Sequence, residues 1–173
     1  TGAHALKIQT YTPDTMTIDL NEREFHISDP KSLWAGTSLY KLYGEAYTPW
    51  EWHKPIFDRA RKLGIIPFST PFDDTAVDFL ESLDVPCYKI ASFENTDLPL
   101  IRRVAATGKP LIISTGMATV AELDTAVSTI LLEVGQTAAK EGVQIERQLE
   151  SRILVACPAG GGDFFTTSTL VLA

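Results

Sequence analysis

The sequence predicts an α/β fold of the TIM (β/α)8-barrel type, an incomplete barrel of about five βα units. Three observations carry this. Five short apolar runs are nearly continuous instead of alternating, the pattern of parallel strands covered on both faces. The helix-to-strand junctions recur regularly, with Gly64, Pro86 and Gly108 standing 22 residues apart. Finally, Gln9 is followed by Thr10-Tyr11-Thr12-Pro13 and not by the glycine-rich turn that opens a dinucleotide-binding fold.

The first run, Ala5 to Thr10, is a strand, and a connection of roughly 40 residues follows it to Trp50, far longer than an ordinary βα loop. At the C-terminal face of a barrel such an insertion lies over the ligand site. Its last part, Lys41 to Trp50, reads either as a clasp on a ligand through Tyr43 and Tyr47 or as an aromatic anchor for the loop itself. Trp52, Ile56, Phe57, Ala60 and Leu63 recur at helical spacing within Glu51 to Leu63, and Gly64 ends that helix. Ile65 to Ser69 is the second strand. Thr75 to Leu83 is the next helix, capped by Asp73 or Asp74, and Cys87 to Ala91 the third strand. Leu98 to Thr107 turns its Leu98, Ile101, Val104 and Ala105 inward and stops at Gly108, before a fourth strand from Leu111 to Ser114. Thr119 and Glu122 fit a capping box at the head of a helix reaching about Leu132. Residues 1–135 thus form the partial barrel. Residues 136–173 are a divergent continuation with a further strand at 153–157.

Composition narrows the functional classes. A formal charge of −7 with no compensating basic stripe argues against a nucleic-acid or anionic-membrane surface, and no window approaches the twenty apolar residues of a membrane span. Cys87 and Cys157 read as buried free thiols, consistent with a reducing, cytoplasmic compartment. His4, His26 and His53 lack metal-ligand spacing, so no complete metal site is expected, and His53 reads as a packing or surface residue.

Two lysines dominate the chemistry. Lys7 and Lys89 each interrupt an apolar strand, where an ammonium group needs an anion, a carboxylate or a carbonyl to meet. Strand ends of a parallel barrel converge on one face, bringing together Lys7 and Gln9, Ser69 and Thr70, Lys89, Ser92 and Glu94, and Ser114 and Thr115. Alternation lets Lys7 and Gln9 share the inner face while Leu6 and Ile8 meet helices. Two ammonium groups among hydroxyls suit a phosphate or carboxylate. The bland alternative is that both lysines merely satisfy interior carboxylates such as Glu94. Glu94 itself suits an acid, a base or an orienting group, and Gly160 to Gly162 read as a flexible turn.

Five ordered motifs, Lys7-Ile8-Gln9-Thr10, Thr48-Pro49-Trp50-Glu51-Trp52-His53, Phe68-Ser69-Thr70-Pro71-Phe72, Tyr88 through Glu94 and Ile113-Ser114-Thr115-Gly116-Met117, resemble the sialic acid synthase family. Ala91-Ser92-Phe93-Glu94-Asn95 is most similar to its pseudaminic and legionaminic acid branch. The resemblance implies a transferase of carbohydrate biosynthesis that joins phosphoenolpyruvate to an open-chain N-acetylated amino sugar, giving a nine-carbon 2-keto acid and phosphate. It implies that Lys7, Lys89, Thr70, Ser92 and Ser114 hold phosphoenolpyruvate, that Gln9 orients the reactants and that Glu94 sits at the reacting centre. It also implies a divalent metal, Mn²⁺ or Mg²⁺, and a homodimer in the complete enzyme. The family's first βα unit, its metal histidines and its small C-terminal domain have no counterpart in these 173 residues, and residues 154–173 depart from its pattern. A truncated barrel that only binds an anion, or that serves as an assembly partner, is the alternative expectation.

Overall fold

A computed structural model describes residues 2–140, 153–156 and 169–172. Six strands form one open sheet in the order β1-β2-β3-β4-β6-β5. The first four, β1 (Ala5–Thr10), β2 (Ile66–Pro71), β3 (Tyr88–Ile90) and β4 (Leu111–Ser114), are parallel and follow chain order. The helices between them are α3 (Trp50–Lys62), α4 (Asp74–Ser82) and α5 (Leu98–Ala105), and α6 (Val120–Lys140) follows β4. Two shorter helices, α1 (Pro13–Met16) and α2 (Leu39–Ala46), lie within the long connection after β1. These are the βα units read from the sequence, with boundaries shifted by a few residues and α6 running eight residues beyond Leu132.

The far edge departs from the expected order. Residues Thr169–Leu172, not anticipated as a strand, form β6 and pair antiparallel with β4, Leu111 opposite Leu172. The expected strand at 153–157 exists as β5 (Ile153–Ala156), but it pairs with β6 and not with β4. Thr169-Leu170-Val171-Leu172 is a short β-branched and aliphatic run of the kind an unpaired strand edge recruits. Cys157 and Gly160 to Gly162 lie outside the described residues.

Local chemistry fixes the helix ends. Asp73 accepts from the Thr75 and Ala76 amides at the head of α4, and Asp97 from Leu100 N–H at the head of α5. Thr119 and Glu122 complete the capping box of α6, the Glu122 carboxylate accepting from Thr119 N–H at 2.7 Å and the Thr119 hydroxyl from Glu122 N–H at 3.3 Å. Gly64 and Gly108 follow α3 and α5 with φ of +70° and +69°, the left-handed conformation that turns a helix back toward the sheet. At the matching point after α4 stands Asp84, φ +52°; the Arg61 guanidinium donates to its carbonyl at 2.9 Å and to that of Leu83 at 2.6 Å.

The core fills the space between one sheet face and α3 to α6. Tyr88, Ile90, Leu111 and Ile113 from the strands meet Phe57, Val77, Leu80, Ile101, Val104, Ala126 and Ile130 from the helices. At roughly 25 cal/mol per Å² of apolar surface removed from water, this layer is the main source of stability. Tyr88 brings a polar tip: its hydroxyl donates to Glu81 Oε1 at 2.5 Å, and Lys109 Nζ donates to the same oxygen at 2.6 Å. Burial pushes the Tyr88 phenol strongly upward, assisted by that carboxylate. The opposite face of the sheet is not closed over by a complete barrel.

Candidate functional site

Register decides which residues share the open face. Lys7 pairs with Phe68, Gln9 with Thr70, and Lys89 with Ile112. Paired residues in a parallel sheet point the same way and neighbours along a strand point oppositely. Since Ile8, Tyr88, Ile90, Leu111 and Ile113 belong to the helix-side core, the other face carries Lys7 and Gln9 from β1, Thr70 from β2, Lys89 from β3 and Ser114 from β4. Beyond the strand ends, Ser92 and Glu94 are half-buried, Glu94 opening a 3-10 turn through Thr96.

This assembles most of the expected set, with two corrections. Ser69 pairs with Ile8 and therefore faces the helices; adjacent residues of one strand cannot both face the site, and only Thr70 does. Lys7 is exposed, not shut away from water as its apolar flanks suggest, because the sheet lacks a second cover on that side.

Two ammonium groups and one carboxyl set the electrostatics here. Burial lowers the affinity of the Lys89 ammonium for its proton, and the Lys7 charge lowers it further; Lys7, though exposed as a residue, is lowered by partial desolvation against the sheet. No ion pair within 4 Å joins either lysine to a carboxylate among the described residues, which tells against the view that both serve only to satisfy interior acids. Lys89 Nζ finds one long contact, to the Ile90 carbonyl at 3.4 Å. Burial raises the Glu94 carboxyl above the usual carboxylate range, while Lys89 pulls it partly back. Among the described residues, Thr70 Oγ1 and Glu94 Oε2 are the buried side-chain atoms without a hydrogen-bond partner. Buried polar atoms are rarely left so; one of these stands on the open face of β2 and the other in the turn that follows β3. Ser114 is buried on the same face.

The long connection is tied down by aromatic rings. Tyr11, directly after β1, is buried between Tyr43 at 5.8 Å and Phe72 at 5.4 Å, both edge-on. Trp50 stacks on Phe79 at 4.7 Å and donates its indole N–H to the Tyr11 carbonyl at 3.2 Å. Tyr43 thus meets the loop's own anchor. Tyr47 is half-buried, and its N–H closes α2 on the Tyr43 carbonyl.

Sequence reasoning passed over two residues. Asn95 is buried and reaches toward the Ser114 carbonyl at 3.5 Å, linking the ends of β3 and β4. His53 is fully buried and sits 2.8 Å from the Thr10 hydroxyl. Its place beside the exposed Trp52 at a helix start left packing and surface both open, and the contact of α3 with β1 decides for packing by turning the ring inward. Cys87 is half-buried, and burial raises its thiol, as for an unreactive cysteine. No group of three or more His, Cys, Asp or Glu side chains able to hold a metal occurs among the described residues, and none of their helices is long and apolar enough to cross a membrane.

Comparison with known proteins gives a consistent answer. The NeuB family matches residues 1–157. Pseudaminic acid synthase of Helicobacter pylori is 50% identical over 127 residues, covering 73% of this chain and 37% of that protein. N,N'-diacetyllegionaminic acid synthase of Legionella pneumophila is 36% identical over 131 residues, 75% of this chain and 36% of its own. Among solved structures, the N-acetylneuraminic acid (sialic acid) synthetase of Leptospira borgpetersenii, in complex with citrate, superposes with a TM-score of 0.60 at 26% identity, over 76% of this chain and 41% of that one. The chain spans little more than a third of the length of the curated relatives it matches.

Proposed function

The chain belongs to the NeuB family, and we propose that its open sheet face is the phosphoenolpyruvate-binding part of an enzyme that makes nine-carbon 2-keto sugar acids of the pseudaminic, legionaminic or sialic type. The observation that carries this reading is the pair Lys7 and Lys89, two ammonium groups that desolvation makes weaker holders of their protons, Lys89 further weakened by the Lys7 charge, beside a buried Thr70 hydroxyl with no partner among the described residues. A ligand bearing both a carboxylate and a phosphate offsets that repulsion and supplies the missing acceptor. The names of the relatives support the product class.

The reaction is a balanced condensation. Carbon 3 of phosphoenolpyruvate bonds to the aldehyde carbon of an open-chain N-acetylated amino sugar, whose oxygen takes up a proton. Water adds at carbon 2, the phosphate C–O bond breaks, and the ketone forms as phosphate leaves; of the two protons the water gives up, one makes good the proton taken by the aldehyde oxygen and the other leaves on phosphate. Lys7 and Lys89 hold the two anionic groups, and Thr70, Ser92 and Ser114 donate hydrogen bonds to them. Gln9, in register with Thr70, orients the bound enol. Glu94, its carboxyl raised by burial and one oxygen unpartnered, is placed to hand a proton to the aldehyde oxygen.

The complete family enzyme is expected to use Mn²⁺ or Mg²⁺. The donor set among the described residues does not fit that role: beside the lysines and hydroxyls it offers one carboxyl, Glu94, and such cations take several oxygen ligands. A homodimer is likewise a property proposed for the complete enzyme.

The test is incubation of the protein with phosphoenolpyruvate, the N-acetylated amino sugar and Mn²⁺, following phosphate and keto-acid release. Turnover abolished by Lys89→Ala supports the synthase. Saturable phosphoenolpyruvate binding without turnover supports instead an anion-binding partial barrel, and trapping by borohydride replaces both with Schiff-base chemistry.

A further inference from the structure

Directly behind Gln9 and Thr70, on the helix side of the sheet, runs a chain of buried polar contacts. The Pro49 carbonyl lies 3.2 Å from His53 Nδ1, His53 Nε2 lies 2.8 Å from Thr10 Oγ1, Thr10 Oγ1 lies 2.7 Å from Ser69 Oγ, and Ser69 donates to the Ile8 carbonyl at 3.0 Å. His53, Thr10 and Ser69 are each fully buried. The chain crosses the residue before α3, the end of β1 and the middle of β2, three segments far apart in sequence.

Its two ends are carbonyl acceptors, so the protons can be counted. Burial lowers the His53 pKa and favours the neutral ring. The Pro49 carbonyl takes an N–H from Nδ1, which leaves Nε2 as an acceptor for the Thr10 hydroxyl. Ser69 then divides its single proton between Thr10 and Ile8. Three protons serve four contacts, and every heavy atom is matched only while β1, β2 and α3 keep this alignment. Ile8 pairs with Ser69 and Gln9 with Thr70, so the outward chain and the inward pair are consecutive rungs of one ladder.

We propose that His53 is a positioning residue: through Thr10 and Ser69 it fixes the ends of β1 and β2 so that Gln9 and Thr70 stand side by side on the site face. Its link to ligand binding rests on the reading of that face as a phosphoenolpyruvate site. The backbone alignment stands apart from it.

The test replaces Thr10 in the full chain by Val, which keeps the shape and removes the central hydroxyl, and by Ser, which restores the hydroxyl. Ile113→Val is the control, a trim of the same covered face away from the chain. Amide hydrogen exchange and phosphoenolpyruvate affinity are read by NMR. Thr10→Val is expected to speed exchange at Gln9 and Thr70 and to weaken binding about fivefold, the size of one lost hydrogen bond. Thr10→Ser is expected to restore both, and Ile113→Val to change neither. Unchanged exchange at Gln9 and Thr70 in Thr10→Val overturns the positioning role, whatever the binding result. If the unaltered chain does not bind phosphoenolpyruvate, the anion-site reading fails while the exchange data still decide the alignment. Should Thr10→Val not fold, Ser69→Ala, which removes only the last link, is read by the same criteria.

Discussion

The two faces of the sheet handle polar groups in opposite ways. On the helix-covered face every polar intrusion has found company: Thr10, Ser69 and His53 bond one another, and the Tyr88 hydroxyl shares Glu81 with Lys109. On the open face Lys7 and Lys89 repel, and Thr70 and Glu94 each keep a buried oxygen unmatched among the described residues. The same strands build both faces, one residue out of phase. A protein satisfies buried polar groups where only stability is at stake, so unsatisfied ones on one face point to a ligand.

The contrast makes quantitative predictions. Leu80→Ala, in the covered core, is expected to cost about 2–5 kcal/mol in chemical denaturation while leaving anion affinity in the folded fraction unchanged. Lys89→Ala is expected to do the reverse: phosphoenolpyruvate binding measured by calorimetry falls about tenfold or more, the loss of one charge-assisted hydrogen bond, and thermal stability holds or rises because a repelled ammonium is gone. If Lys89→Ala unfolds the protein as readily as Leu80→Ala, the division between faces is wrong.

Asp73→Ala removes the cap of α4 and is expected to cost about 1 kcal/mol, seen as a lower Tm. The pH effects are smaller and their signs differ. Glu94 has its folded-state pKa raised, so its contribution to stability is fully present below the ordinary glutamate pKa and lost as pH rises through the folded value. Glu94→Gln is therefore expected to be the more stable protein at pH 7, with the advantage vanishing in acid. For Lys7 and Lys89 the folded pKa values are lowered, so anion binding should fade on the alkaline side before an ordinary lysine would titrate. A binding curve flat to the normal lysine range would remove the desolvation of the two ammonium groups from the account.

Much of this was legible beforehand because it depends on local rules. Gly64 and Gly108 marked helix ends, Asp73 and Thr119 marked helix starts, and period-two alternation put Lys7 with Gln9. Motif order carried the family. Illegible were the features set by what lies across a strand: Ser69 and Thr70 are equivalent in the chain and opposite in the sheet, and His53 beside Trp52 gives no sign that one ring is buried and the other exposed. The β6 strand was missed for the same reason, since four residues become a strand only when an edge accepts them.

The sequence by itself determined the βα units, their caps and the supply of anion-binding side chains, because periodicity and capping act within a few residues. The tertiary structure alone decided which of those side chains face one another, which stay unmatched and which are locked behind them. Register, burial and mutual repulsion exist only between segments that the folded chain brings together, as Ser69 is brought to Ile8 across 61 residues.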